Sequence, residues 1–247
     1  MDTHLQIRTQ DTSLADFKKD GLLIVRNKID AAKIQTLIKE INEIREFVKV
    51  KIQSMDRPLK TYSDIAERHL GRLDYRCGFT ADIFDEVAEP ILQLSRKVSP
   101  TIDFRYYWGA IPSESGSGPT DFHRDVYPIL NTTEGVNLDT PDLCLPPYYL
   151  TVLIPLVEIT PENGPTEFIK GSQHIKIVNE DTSDIYAPLL SPGDFVMFDG
   201  RTMHRGSPNK SKDERLIAYM TLVANWYHDQ TFEINDYLFP EVAVKGK

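Results

Sequence analysis

The sequence predicts a mainly β fold, a jelly-roll barrel braced by helices, and three observations carry that prediction. Short runs rich in Tyr, Val, Ile and Thr recur after Phe104, each bounded by Gly, Pro, Asn or Asp turn signals. Segments with a 3.6-residue apolar period lie only before Phe104. The chain has 247 residues, 40% hydrophobic and 26% charged, a globular composition and a length that fits one domain. Residues 1–247 are therefore read as a single domain, with a helical buttress over about 14–99 and a jelly-roll core over about 104–228.

Taken in order, residues 14–19 predict a brief helix, and Gly21-Leu22-Leu23-Ile24-Val25 a short buried strand. Asp30 is placed to cap the next helix, whose Ile34, Leu37, Ile38, Ile41, Ile44 and Val48 share one face. Residues 50–78 are polar and basic and read as surface loops before the barrel. Thr80 is expected to cap a second amphipathic helix carrying Ile83, Phe84, Val87, Ile91 and Leu94, with a kink at Pro90. Residues 104–110 read as the first long strand and 112–119 as a flexible Ser/Gly loop. Residues 126–147 have no period and are long for a plain connection, which suits a lid over a site. Strands follow at 149–156, where Pro155 should end the pairing, and at 166–169, 195–198 and 215–226.

The chemistry is concentrated in His123-Arg124-Asp125 and in a distant His204. Side chains alternate along a strand, so His123 and Asp125 would face one way and Arg124 the other. Two imidazoles and one carboxylate form the facial triad of non-haem Fe(II) oxygenases, which leaves positions open for a co-substrate and oxygen. Taken alone, an H-x-D pair or a single histidine is commonplace; the neighbouring segments give these three their meaning.

Those segments are Asn163-Gly164-Pro165-Thr166-Glu167-Phe168-Ile169-Lys170-Gly171-Ser172-Gln173-His174, then Gly193-Asp194-Phe195-Val196-Met197-Phe198-Asp199, then His204 through Arg215. Together they resemble the phytanoyl-CoA dioxygenase-like (PhyH) family over roughly residues 104–228. The resemblance implies a double-stranded β-helix, cupin-like core and an oxygenase that uses Fe(II), 2-oxoglutarate and O2, with ascorbate as the reductant in vitro. It implies oxidative decarboxylation of 2-oxoglutarate to succinate, coupled to attack on an unactivated C–H bond that ends in hydroxylation, desaturation or cyclisation. Iron would sit on His123, Asp125 and His204, and Arg215 would grip the far carboxylate with its planar, permanently charged fork. Thr151 and Tyr107 are further candidates for contacts to the co-substrate, and Arg72 and Arg76 for contacts to the substrate. Two departures stand out. Lys170 occupies a usual proline position, and Gly206 occupies the place, two residues after the distal histidine, where many members have serine. Ser207 lies one residue further on.

Composition narrows the partners. A net charge of −9 disfavours a nucleic-acid phosphate backbone. No signal peptide or membrane-length apolar run is evident, and the two cysteines, Cys77 and Cys144, have no metal-binding spacing. These features favour a cytoplasmic protein with reduced thiols acting on a small molecule, amino-acid-like or a secondary metabolite. The rival reading is a catalytically silent jelly-roll that binds a metal or ligand, because the fold alone hosts both. His174 is read as structural, as are His4, His69 and His228.

Overall fold

The computed structural model describes residues 13–53, 65–69, 71–126, 145–174, 183 and 185–228. Most of the connection read as a lid, residues 127–144, lies outside the described residues, as do His4 and Cys144.

Two sheets form the core. The larger has seven strands: β1 (Leu22–Val25), β8 (Phe195–Asp199), β5 (Tyr149–Pro155), β10 (Arg215–Ala224), β4 (Phe104–Ser113), β3 (Arg72–Tyr75) and β2 (Ile65–His69), in that spatial order. The smaller runs β7 (Ile185–Tyr186), β6 (Thr166–Ile169), β9 (His204–Gly206). The named strand pairs are antiparallel, and non-consecutive strands lie side by side, the jelly-roll arrangement.

Alternation along the strands sorts side chains between two layers. On β10, Leu216, Ala218, Met220 and Leu222 face the layer shared with the helices. Arg215, Ile217, Tyr219 and Thr221 face the barrel interior. On β8, Phe195 and Met197 point outward to the helices, while Val196 and Phe198 join Phe168 and Ile217 between the sheets. Both faces of β10 are covered, so all ten of its residues are buried.

The helices α1 (Leu14–Asp20), α2 (Ala31–Ile52) and α3 (Asp82–Val98) brace the outer face of the large sheet. Ser13 and Asp16 form a capping box on α1, and the Asp30 carboxylate accepts from Ala32 N at 2.8 Å on α2, as its sequence position suggested. Thr80 does not cap α3. Its backbone N–H is held by Gly78 O, and the N-cap is Ala81, without a side-chain hydrogen bond. Asp82 and Asp85 supply the favourable negative charge at that end instead. The helix runs on through Pro90.

The main departure lies within residues 50–78. Instead of a solvated loop, residues 65–75 contribute the β2–β3 hairpin, which extends the large sheet beyond β4. Leu73 and Tyr75 turn to the helical layer, while Arg72 and Asp74 line the barrel interior. Charged residues alternating with apolar ones here mark a strand whose polar face looks inward. The first long strand likewise runs further than expected, to Ser113, because β10 pairs with it along all ten residues.

Candidate active site

His204 opens β9, buried against the Phe198 ring at 4.6 Å and the Phe168 ring at 6.0 Å between centroids. His123 is brought to it by a two-way backbone bridge, His123 N to His204 O at 3.0 Å and the reverse at 2.9 Å. Residues 123–125 thus form an isolated bridge rather than the strand the H-x-D pattern suggested, since Asp125 N is already taken by Gly200 O at 2.9 Å. Convergence survives the change. The ligand atoms of His123, Asp125 and His204 lie within 4.8 Å of one another, and Asp125 Oδ1 is 3.6 Å from His204 Nε2.

Both imidazoles are set in one tautomer. His123 Nδ1 lies 2.9 Å from Asp121 O, and His204 Nδ1 lies 3.0 Å from Thr202 O. A carbonyl only accepts, so each Nδ1 carries the proton and each Nε2 lone pair is left for a metal. Burial, reinforced by the His123 charge and opposed by Asp125, holds His204 below the ordinary imidazole pKa and so in its neutral, ligating form. Thr151 Oγ1 donates to Asp125 Oδ2 at 2.6 Å and fixes the carboxylate. Thr151, named from the sequence as a candidate co-substrate contact, holds the Asp125 carboxylate in this structure. Thr151→Val should weaken Fe(II) binding roughly 10- to 100-fold, the usual cost of removing such a support. A metal titration of the folded variant checks it.

The Gly171-Ser172-Gln173-His174 motif acts through its serine. Ser172 Oγ accepts from Met203 N at 2.8 Å, next to His204, and Arg124 Nη2 donates to Ser172 O at 3.0 Å. Arg124 Nε also donates to Arg201 O at 2.7 Å, so the residue between the two ligands ties both ligand segments together. His174 faces Lys18 O at 3.0 Å, apart from the cluster.

A second feature lies along β10. Arg215 and Arg72 both pair in register with Ser113, which sets them abreast on β10, β4 and β3. Both are buried, line the same cavity as the triad, and have no carboxylate partner among the described residues. Arg215 donates to the carbonyls of Asn163, Gly164 and Ser207 and to Ser113 Oγ. Arg72 donates to Ser207 O at 2.9 Å and more loosely to Gly206 O at 3.4 Å. The Nε of each is buried without a hydrogen-bond partner among the described residues. Burial pushes Arg72 down to about 10, and burial with the Arg72 charge pushes Arg215 down to about 9, so both remain cations at neutral pH. Two buried cations lacking a counter-charge are costly and call for an anion. Gly164, at φ +86°, explains the Asn163-Gly164 motif: a Cβ there would meet Pro208 O at 2.3 Å and Arg215 Nη1 at 2.9 Å.

The cavity between these two ends measures about 390 Å³. Asp74, Arg76 and Tyr219 form one wall. Arg76 donates through Nε at 2.9 Å and Nη2 at 2.8 Å to Asp74 Oδ2, and Tyr219 OH donates to Asp74 Oδ1 at 2.8 Å. Against its burial, the Asp74 carboxylate holds Arg76 above its ordinary value, so this pair is internally neutralised.

Of the candidates named from the sequence, His123, Asp125, His204, Arg215, Thr151, Arg72 and Arg76 all line this cavity. Tyr107 does not: it sits in an aromatic cluster with Tyr148 and Tyr149, and its hydroxyl accepts from Arg105 Nε at 2.8 Å. Ser113 and Tyr219 were not named from the sequence, and Asp74 only as part of the candidate substrate segment 72–76. The charged alternation of Arg72, Asp74 and Arg76 was the available signal that its polar face looks inward. Ser207 Oγ, the nearest serine to the family's usual place, donates to Glu167 at 2.6 Å.

The family model for phytanoyl-CoA dioxygenase matches residues 17–217. The dioxygenase FUM3 of Gibberella moniliformis is 22% identical over 85% of this chain and 70% of its own length. The Fe(II)/2-oxoglutarate-dependent dioxygenase nvfF of Aspergillus novofumigatus is 27% identical over 80% of this chain and 65% of its own. In fold, the chain is similar to HygX of Streptomyces hygroscopicus, solved with nickel, 2-oxoglutarate and hygromycin B bound. The TM-score is 0.64 at 14% identity, covering 94% of this chain and 96% of that one. The chain belongs to the phytanoyl-CoA dioxygenase family.

Proposed function

We propose that this protein oxidises an unactivated C–H bond of a small, largely uncharged molecule, using Fe(II), 2-oxoglutarate and O2. The chain is a dioxygenase by family, and the donor set fits the metal: two imidazoles and one carboxylate on one side of a cavity. The observation that carries the reading is the pairing of that triad with buried arginines that have no carboxylate partner among the described residues. A silent metal-binding jelly-roll has no use for them.

His123, Asp125 and His204 would hold the iron, and Thr151 would keep the Asp125 carboxylate aimed. Arg215 would receive the far carboxylate of 2-oxoglutarate, which sets the direction in which the co-substrate enters. Phe168 and Phe198 pack against His204 and keep water from it, and Phe198 also lines the cavity. When bound, iron with 2-oxoglutarate and oxygen supplies the oxidising power; the protein supplies position and a dry wall. The self-neutralised Asp74–Arg76 pair, capped by Tyr219, favours hydrogen bonding to an uncharged oxygen or nitrogen of the substrate over binding a second anion.

HygX carries hygromycin B in its crystal, which supports a small-molecule substrate here. No described helix is long and apolar enough to cross a membrane, and Cys77 is buried. With the acidic charge balance, these support residues 1–247 acting as one cytosolic oxygenase unit without a nucleic-acid partner. The test is succinate release from 2-oxoglutarate with Fe(II) and ascorbate against a small-molecule panel. Neutral oxygenated compounds should stimulate turnover, and stimulation confined to anionic compounds would overturn the substrate class.

A further inference from the structure

We propose that Arg72 is a second anchor for the far carboxylate of 2-oxoglutarate, closing a two-arginine clamp with Arg215, and that Gly206 is the residue that makes room for it. The inference rests on the co-substrate reading above and goes beyond it in giving Arg72, a candidate substrate residue on sequence grounds, a different partner.

Three observations support the clamp. The strand register places Arg72 and Arg215 on either side of Ser113, in one row across three strands. The two guanidinium groups share an acceptor, Ser207 O, at 2.9 Å from Arg72 Nη2 and 3.2 Å from Arg215 Nη1, so they converge on one spot of the cavity wall. Among the described residues each keeps a buried Nε without a hydrogen-bond partner, and neither makes an ion pair with a carboxylate. A carboxylate carries about four lone-pair sites and accepts from two donors at once.

Gly206 completes the case. A Cβ built there would stand 2.3 Å from Arg72 Nη1 and 3.2 Å from its Cζ. Any side chain at this position would occupy the space the guanidinium now fills. The serine hydroxyl expected two residues after His204 is therefore replaced in space by a cation arriving from β3. Ser207 cannot serve in its stead, because its hydroxyl is engaged by Glu167.

The experiment measures binding by calorimetry to the Mn(II)-loaded protein without oxygen, so no turnover is needed. Two probes are compared: 2-oxoglutarate, and 2-oxopentanoate, which has the same carbon chain without the far carboxylate. Arg72→Met should weaken 2-oxoglutarate roughly tenfold or more and leave 2-oxopentanoate unchanged. Gly206→Ala retains Arg72 but pushes it aside, and should reproduce the same selective loss in a protein with its full set of charges. Equal weakening of both probes would show that Arg72 only supports the fold, and no weakening of either would remove it from the site. If Arg215→Leu loses the preference for 2-oxoglutarate while Arg72→Met keeps it, the clamp fails and the co-substrate reading stands. If the wild type itself does not distinguish the probes, both fail.

Discussion

Alanine at His123, Asp125 or His204 is expected to abolish iron-dependent turnover while the protein remains folded. On the proposed reading each residue would supply one of three bonds to the metal, and among the described residues no other cluster of histidine, cysteine or acidic side chains is placed to hold one. The three losses should differ in kind. His204 is buried against Phe168 and Phe198, so His204→Ala also opens a cavity and should lower the melting temperature. His123 is exposed, and its alanine variant should melt close to wild type. Asp125→Ala leaves Thr151 Oγ1 without its acceptor and should fall between them. Metal content by elemental analysis, activity at limiting iron and thermal melts read these outcomes separately. Undiminished activity in any one variant would remove that residue from the triad.

Arg215→Leu should raise the 2-oxoglutarate requirement roughly 10- to 150-fold, since a hydrogen bond to a charged group contributes about 1.5–3 kcal/mol. Fe(II) binding should change little, because Arg215 is not among the clustered ligands. Arg215→Lys should fall between wild type and leucine: it keeps the charge but loses the fork, and with it the simultaneous contacts to Ser113 and the Gly164 carbonyl. The ordering wild type, lysine, leucine in a 2-oxoglutarate titration is the specific claim. Superimposed titrations would make Arg215 a structural arginine that only pins the Asn163-Gly164 turn to β10.

What the sequence made legible, and what it did not, follows from how each residue signals its place. The clustering of His123, Asp125 and His204, and the place of Arg215 in the same cavity, were legible because ligand chemistry restricts residue type and spacing, whatever the local backbone does. That robustness shows in residues 123–125, where the expected strand is only a bridge and the ligands converge regardless. Arg72 and Asp74 were placed on a polar surface loop reaching over the site, rather than in a sheet, because charged residues are seldom buried. Their alternation with Leu73 and Tyr75 was visible, but which face looked inward depended on pairing with β4, a contact distant in sequence. Thr80 was a sound cap by residue type, yet the helix starts one position later than such a cap requires. Gly206 looked like a missing serine until the neighbouring strand showed what occupies the space.

The most direct test of the central claim follows oxygen itself. The wild-type protein, supplied with Fe(II), ascorbate, 2-oxoglutarate and isotopically labelled O2, should release succinate carrying label in its new carboxylate. Asp125→Ala protein in parallel should release none. Labelled succinate from the wild type alone is the predicted result; no labelled succinate from iron-loaded, folded wild-type protein, with or without a substrate panel, would contradict the assignment of this triad and its arginines to 2-oxoglutarate-dependent oxidation.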